Sequence, residues 1–179
     1  MDALHQHALA LRAIVGAAPT PALRAQISDA LASKFEGLQA IALDALGAWG
    51  DEASLAEIQA FLRSAFGRKR GAAIRGVASR NLIPHLASRD VAWVLDLYFS
   101  LPQALEKHEL LPLVLALPPE AAKARLVAAF RDPLPANRQA AVKAIGNMPY
   151  PDRAQLLRPL SEDPAPSVSK SARRLSQEV

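Results

Sequence analysis

A run of cations without an acidic residue is the feature of this sequence best suited to bind an anion. The chain from Gln59 through Arg89 has no Asp or Glu but contains seven basic residues. They are Arg63, Arg68, Lys69, Arg70, Arg75, Arg80 and Arg89. Because the formal net charge of the whole chain is only +4, the remaining residues together are net acidic. Positive potential is therefore concentrated in this block, where it can attract nucleic-acid phosphates or an acidic protein surface.

Five members of the block are predicted to bind a partner or its phosphates. Arg68 and Arg75 are seven residues apart and would share one face of a helix, with other cations beside them. The predicted residues are Arg63, Arg68, Lys69, Arg75 and Arg80. The alternative is a solvated basic face with no ligand. The two aromatic residues of the block, Phe61 and Phe66, also fit core positions, so the sequence does not indicate base stacking.

The residues that could support catalysis or metal binding are sparse. The chain has no cysteine and four histidines. His5 and His7 lie two positions apart on a predicted helix, so their side chains diverge by about 200° and make a poor metal pair. Nucleophile-elbow, phosphate-loop and dinucleotide motifs do not occur. We therefore predict no catalytic residue, no metal and no cofactor, and we favour a non-enzymatic role while the enzyme class stays open.

One segment, Asp132-Pro-Leu-Pro-Ala-Asn-Arg-Gln-Ala-Ala-Val-Lys-Ala-Ile-Gly146, recurs in part along the chain. Its Asp-Pro-x-Pro start returns at Asp163, 31 residues later. The segment 42–47 matches 141–146 at a distance of 99 residues, which is about three periods, and 70–74 matches 138–142 at 68 residues, which is about two. A period of this size is typical of stacked helical repeats.

The unit from 132 to 146 resembles the HEAT-like repeat (armadillo-type α-solenoid) family. It has an Asp-Pro turn, Arg138 six residues after Asp132, and a helix of small residues that ends at Gly. The resemblance implies an all-α, right-handed α-solenoid of about five HEAT-like helical hairpins. Asp132 and Arg138 are then a structural repeat pair, in which the guanidinium reaches a turn carboxylate or free carbonyls. Gln39 and Ser169 occupy the Arg position in two other units.

The local signals agree with consecutive helices. Thr20 and Pro21 are predicted as the N-cap and first residue of a second helix. Later helices are expected near 69–81, 88–101, 104–117, 119–131, 136–147, 151–161 and 167–177, after one from about 35 to 49. We predict a single HEAT-like repeat domain over 1–179, in which 1–34 is either a regular repeat or an N-terminal cap. The segment 163–179 is predicted as a C-terminal cap helix.

Composition supports the helical class. Hydrophobic residues make up 51% of the chain and aromatic residues only 5%, which suits closely packed helices better than a sheet. No apolar run reaches the roughly 18 residues that a membrane helix needs. The N-terminus lacks the basic region of a secretory signal. A cytoplasmic location is therefore predicted.

Three functions follow from the resemblance and the charge pattern. The leading one is a non-enzymatic scaffold that binds a protein or peptide partner on its helical surface. The second is a nucleic-acid-binding HEAT-like protein, similar to the DNA glycosylases of that family, which would use the basic block 63–89. The third is a protein similar to the phycobilin lyases, which share HEAT-like repeats.

Overall fold

The computed structural model describes residues 3–65, 72–86, 90–101 and 104–178, and their regular structure is helical throughout. This part of the chain contains eleven α-helices and no strand, so the prediction of an all-α protein is confirmed. The helices are α1 (Ala3–Ile14), α2 (Pro21–Leu31), α3 (Glu36–Trp49), α4 (Glu52–Ala65), α5 (Ala72–Leu82), α6 (Val91–Ser100), α7 (Ala104–Leu115), α8 (Pro119–Ala128), α9 (Pro135–Asn147), α10 (Arg153–Leu157) and α11 (Pro166–Gln177). Short 3-10 segments follow α5, α8 and α10, at Ile83–His85, Ala129–Arg131 and Arg158–Glu162. None of the described helices combines the length and the apolar character needed to cross a membrane.

The helix boundaries follow the proline and capping signals of the sequence. The Thr20 hydroxyl accepts a hydrogen bond from the Leu23 N–H at 3.3 Å, and Pro21 is the first residue of α2, as predicted. Proline has no N–H, and its fixed φ suits the first helical position. Three later helices, α8, α9 and α11, also begin at proline. At the other end of α3, Gly50 has a φ of 61° and donates its N–H to the Leu46 carbonyl.

The chain forms two compact units, Met1–His85 and Leu86–Val179, which we call unit 1 and unit 2. In unit 1, α3 is central and contacts α1, α2, α4 and α5. Its interior is formed by fully buried residues such as Leu43, Leu46 and Ile58. The single domain over 1–179 stays a prediction.

In unit 2, contacts join both consecutive and alternate helices. The contacts α7–α9 and α9–α11 join alternate helices, as does α6–α8, while α6–α7, α8–α9 and α10–α11 join consecutive ones. Leu110, Leu113 and Leu126 are fully buried among these helices. This order of packing places α7, α9 and α11 side by side, so residues at matching positions of these three helices are neighbours.

A polar residue occupies the fourth position of every alternate helix from α3 to α11. These residues are Gln39, Arg75, Lys107, Arg138 and Ser169. Four of them are between 1% and 8% exposed, and the Arg138 side chain is 12% exposed. Successive members are 31 to 36 residues apart. The period found in the sequence therefore corresponds to one polar residue buried at a fixed place in each repeat.

Arg138 shows what this position does. Its Nε and Nη2 donate to the two carboxylate oxygens of Asp163, at 2.8 and 2.9 Å, and its Nη1 donates to the main-chain carbonyl of Asp132 at 2.8 Å. The predicted contact with Asp132 is present, but the ion pair forms with Asp163 instead. The Asp132 carboxylate accepts hydrogen bonds from the Leu134 N–H and the Asn137 side chain. The Asp163 carboxylate accepts one from the Ala165 N–H besides its pair with Arg138.

Neutral residues perform part of the same task where arginine is missing. The Gln39 amide donates to the carbonyl of Ser33, six residues before it, at 2.7 Å and to that of Leu31 at 3.3 Å. The Ser169 hydroxyl donates to the Ala165 carbonyl at 3.4 Å. Each side chain therefore satisfies carbonyls of the preceding turn, which would otherwise be desolvated at a cost.

Within the described part of the basic block, Arg75 corresponds to Arg138 by spacing and burial. It is 3% exposed and lies 63 positions before Arg138, or about two periods. The predicted match of Arg70 to Arg138 lies outside the described residues and stays a prediction.

Two glycines allow alternate helices to approach closely at equivalent places. Gly146 is the twelfth residue of α9, and a Cβ atom there would lie 3.0 Å from Cβ and 2.6 Å from Cδ1 of Leu175. Gly47 is the twelfth residue of α3, and a Cβ atom there would lie 2.7 Å from Cβ of Asn81. Leu175 and Asn81 are themselves the tenth residues of α11 and α5. The same helix-to-helix contact therefore occurs in both units.

Substitution of Gly146 by alanine is expected to lower the free energy of unfolding by about 1–3 kcal/mol, because the added methyl group overlaps Leu175 close to its backbone. The matched control is Gly37→Ala. A Cβ atom at Gly37 has no neighbour within 4 Å. The higher helix propensity of alanine should therefore leave the free energy of unfolding unchanged or raise it by about 0.5 kcal/mol. Urea denaturation of both variants measures the difference. Equal stability of the two variants would mean that α9 and α11 are not this close.

The ion pair of Arg138 leads to a second prediction, which concerns the dependence of stability on pH. Hydrogen bonds from Arg138 hold the pKa of the Asp163 carboxyl below its usual value, against the opposing effect of burial. A carboxyl with a lowered folded-state pKa contributes stability above its unfolded pKa of about 3.9, and this contribution is lost as the pH falls through the folded-state pKa. Asp163→Asn should therefore be less stable than the wild type at neutral pH. The gap between their urea midpoints should close below about pH 4, and a gap independent of pH would contradict the pairing.

Candidate binding groove on unit 2

The structure divides the five predicted binding residues of the basic block. Arg63 and Arg80 lie in the last turns of α4 and α5 and are exposed. Arg68 and Lys69 lie outside the described residues. Arg75 is only 3% exposed, because the fourth position of α5 faces the interior. It is therefore not part of an exposed phosphate-binding surface, which corrects that prediction, while binding by Arg63 and Arg80 stays a prediction.

A groove of about 510 Å³ lies in unit 2, along the neighbouring helices α7, α9 and α11. Its polar lining is cationic or neutral and consists of Lys107, His108, Gln139, Lys143, Asn147 and Arg174. Within the described part of the chain, no Asp or Glu contributes to the lining. Leu111 and Ala136 add apolar surface. A cavity of this size with a few polar groups on an apolar wall is typical of a ligand site.

Lys107 is the most unusual residue of the groove because its ammonium group is buried. The residue is 5% exposed, and Nζ donates a hydrogen bond to Oδ1 of Asn137 at 3.3 Å. It forms no ion pair with the described carboxylates. Burial lowers the pKa of Lys107, an effect that Asp132 opposes and Lys143 reinforces. Lys107 is therefore a buried cation with a neutral hydrogen-bond partner, a combination that also occurs at functional sites.

The other two strong cations occupy matching positions of neighbouring helices. Lys143 is the ninth residue of α9, and Arg174 is the ninth residue of α11, 31 residues later. Lys143 is half-buried and, like Lys107, forms no ion pair within the described part of the structure. Arg174 pairs with Glu178 at 3.3 Å, but both side chains are more than half exposed. An exposed pair of this kind contributes little to stability, so Arg174 can turn to a ligand at small cost.

The side-chain amides of the groove present acceptors. The Gln139 amide nitrogen donates to the Ser167 carbonyl at 3.1 Å, and the Asn147 amide nitrogen donates to the Lys143 carbonyl at 2.7 Å. These bonds use one N–H of Asn147, and Gln139 also donates to the Ser171 hydroxyl at 3.4 Å, so both side chains are held in place. The amide oxygens of both residues therefore remain as acceptors for N–H groups of a ligand.

Tyr98 lies at the base of the groove but is not an exposed aromatic surface. The residue is 2% exposed, and its hydroxyl donates to the Ala140 carbonyl at 3.4 Å. Burial raises the pKa of this phenol, so it stays protonated. Tyr98 therefore serves as part of the core, and its ring cannot stack on a nucleobase.

This groove was not predicted from the sequence. Its cations are distributed over three helices and do not form a run of charge. The available signal was the repeat spacing, because Lys143 and Arg174 are 31 residues apart, as are Lys107 and Arg138, and this equals the period of the Asp-Pro turns. The burial of Lys107 gave no sequence signal, because it depends on the packing of α7 against α9.

The described residues contain no group of three or more His, Cys, Asp or Glu side chains that could hold a metal ion. The groove contains one histidine, His108, which is exposed. The chemistry of the groove is thus that of a cationic surface with neutral hydrogen-bond acceptors. Comparison of the chain with protein-family models, with curated proteins and with solved structures finds no match.

Proposed function

We propose that the protein is a non-enzymatic HEAT-like scaffold that binds a protein or peptide partner in the groove of unit 2. The observation that carries the proposal is the pair Lys107 and Lys143, two cations in one groove without a carboxylate partner among the described residues. A polar groove along stacked helices is the kind of surface on which repeat proteins hold extended partners.

The spacing of contacts between helices supports stacked hairpins of the solenoid type in each unit. Besides the Arg138–Asp163 pair, six contacts join side chains that are 27 to 30 positions apart. They are Arg24–Asp51, Arg24–Ser54, Ser28–Glu57, Arg125–Asp96, Lys123–Asp152 and Lys107–Asn137. A separation close to one repeat is expected when each hairpin packs on the next. The right-handed solenoid of about five hairpins is therefore part of the proposal.

Affinity capture with a matched pair of variants tests the proposed function. Lys143→Glu combined with Arg174→Glu reverses two charges of the groove, whereas Lys170→Glu reverses an exposed charge of α11 outside its lining. A protein partner should be recovered with the wild type and with Lys170→Glu, and lost from the double variant. Recovery of the same partners by all three chains, or of none by the wild type, would contradict a binding role for the groove.

Nucleic-acid binding through the block 63–89 is the second candidate, and the exposure of Arg63 and Arg80 favours it. A gel shift with duplex or single-stranded DNA at low salt tests it. This function predicts a salt-sensitive shift that is lost on Arg63→Glu combined with Arg80→Glu and kept on reversal of the two groove charges. Absence of a shift with the wild type at low ionic strength would remove the candidate.

A further inference from the structure

We infer that the segment bound in the groove is an acidic, extended peptide, one carboxylate of which is held jointly by Lys107 and Lys143. The inference rests on the proposed function, because it names the chemistry of the partner for the same groove.

The charges of the groove lining are the first argument. Lys107 and Lys143 both line the groove. Burial lowers the pKa of Lys107, Asp132 opposes this effect, and the charge of Lys143 adds to it. A carboxylate bound between the two lysines would accept a charge-assisted hydrogen bond from each.

The burial of Lys107 is the second argument. A buried ammonium group loses hydration, and its one hydrogen-bond acceptor here is the neutral amide of Asn137. Since the lowered pKa means that the charged form is disfavoured in the folded state, removal of the charge should not reduce stability at neutral pH. Lys107 occupies the same helix position as Arg138, but its hydrogen-bond partner is a neutral amide where Arg138 has a carboxylate. A carboxylate of the ligand would supply the missing negative charge.

The neutral groups of the groove distinguish a peptide from a nucleic acid. The amide oxygens of Gln139 and Asn147 can accept hydrogen bonds from peptide N–H groups. A sugar–phosphate backbone offers mainly acceptors, which these oxygens would repel. The Tyr98 ring is buried, so it offers no stacking surface to a base.

The positions of the cations also indicate the spacing of acidic residues in the peptide. Lys143 and Arg174 occupy matching positions of the packed helices α9 and α11, whose axes are expected to lie about 8–10 Å apart. Residues i and i+2 of an extended peptide point to the same side and lie about 7 Å apart. Long basic side chains can adjust for the difference. The carboxylate of residue i would therefore contact Lys107 and Lys143, and the carboxylate of residue i+2 would contact Arg174.

Fluorescence anisotropy with the full chain tests the inference. The probes are labelled peptides of equal length in which serine alternates with glutamate, glutamine or lysine. The glutamate peptide should bind, should weaken when salt is raised from about 50 to about 300 mM, and should bind at least about tenfold more tightly than the glutamine peptide. Lys107→Met and Lys143→Met should each weaken it about tenfold, whereas Lys170→Met should leave the dissociation constant unchanged.

Thermal unfolding of the same variants separates lost binding from lost folding. Lys107→Met should have a Tm equal to or higher than the wild type, and if it does not fold, Lys143→Met provides the test alone. Equal binding of the glutamate and glutamine peptides, no binding of the glutamate peptide, or undiminished binding by Lys143→Met would overturn the inference. So would preferential binding of a labelled single-stranded oligonucleotide through the same lysines.

The failure of this inference can be told apart from the failure of the proposed function. The deciding case is a protein partner that the wild type captures and the variant with Lys143→Glu and Arg174→Glu loses. If this partner binds Lys107→Met and the wild type equally at both salt concentrations, the groove remains a binding site. In that case the acidic peptide is the wrong occupant.

Discussion

Replacement of Arg138 by alanine should lower the Tm by about 10 °C, the largest effect expected for any ion pair of the described structure. The substitution leaves the Asp163 carboxylate, whose side chain is 6% exposed, without its bidentate partner. It also removes the donor to the Asp132 carbonyl. Removal of one partner of a buried pair costs far more than the pair itself contributes, because the remaining charge stays desolvated. Thermal unfolding followed by circular dichroism measures the change.

Arg125→Ala is the matched control for this experiment. Arg125 also pairs with an aspartate, Asp96, but the two side chains are 53% and 62% exposed. Exposed pairs contribute little, so the Tm should change by no more than about 2 °C. Similar changes for Arg138→Ala and Arg125→Ala would show that the Arg138 pair is also solvated.

Leu126→Ala is expected to lower the free energy of unfolding by about 2–5 kcal/mol. Leu126 is fully buried in α8, which contacts both α6 and α9. The shorter side chain would lose its apolar contacts and leave a cavity that rigid helices on both sides can fill only in part. Urea denaturation gives the free energy directly.

Leu134→Ala controls for the loss of a leucine without the loss of packing. Leu134 is 60% exposed in the turn before α9, so its replacement should change the free energy of unfolding by no more than about 0.5 kcal/mol. A loss below about 1 kcal/mol for Leu126→Ala would contradict the close packing of α8 in unit 2.

The helical class and many helix boundaries could be predicted because their causes are local. The Thr20 cap and the prolines that begin α2, α8 and α9 act within one turn of the chain. Local signals did not distinguish the α-helix from the 3-10 helix. The predicted helix 119–131 is α-helical only as far as Ala128, and the predicted 151–161 becomes a 3-10 segment after Leu157. Pro159 lies in that segment and cannot donate the hydrogen bond of a continuing α-helix.

The partner of Arg138 could not be found from local spacing. Asp132 lies six residues before it and Asp163 lies 25 residues after it, and both begin an Asp-Pro turn. Each carboxylate accepts an N–H of its own turn, from Leu134 at Asp132 and from Ala165 at Asp163, so local hydrogen bonding does not distinguish them. Which carboxylate is available depends on the packing of consecutive turns, and this information lies outside any single helix.

For a related reason, the positions of cations along the sequence did not predict which cations lie together on the surface. Arg75 belongs to the most basic run of the chain but is buried, because it lies on the same face of α5 as the buried Ala78 and Leu82. Lys107 and Lys143 belong to no run, yet packing of α7 against α9 brings them to one groove. A helix distributes neighbours in sequence over all its faces, so a run of cations need not form one surface.

A disulfide cross-link between Gly146→Cys and Leu175→Cys tests most directly the claim that alternate helices pack with matching positions together. The chain has no other cysteine, and a Cβ atom at position 146 would lie 3.0 Å from Cβ of Leu175, close to the separation that a disulfide needs. The pair should form an intramolecular disulfide on mild oxidation, seen as a shift in a non-reducing gel. The control pair of Gly146→Cys with Arg174→Cys should remain largely reduced. Equal cross-linking of both pairs, or of neither, would contradict the stacking of α9 and α11 on which the groove and its proposed ligand depend.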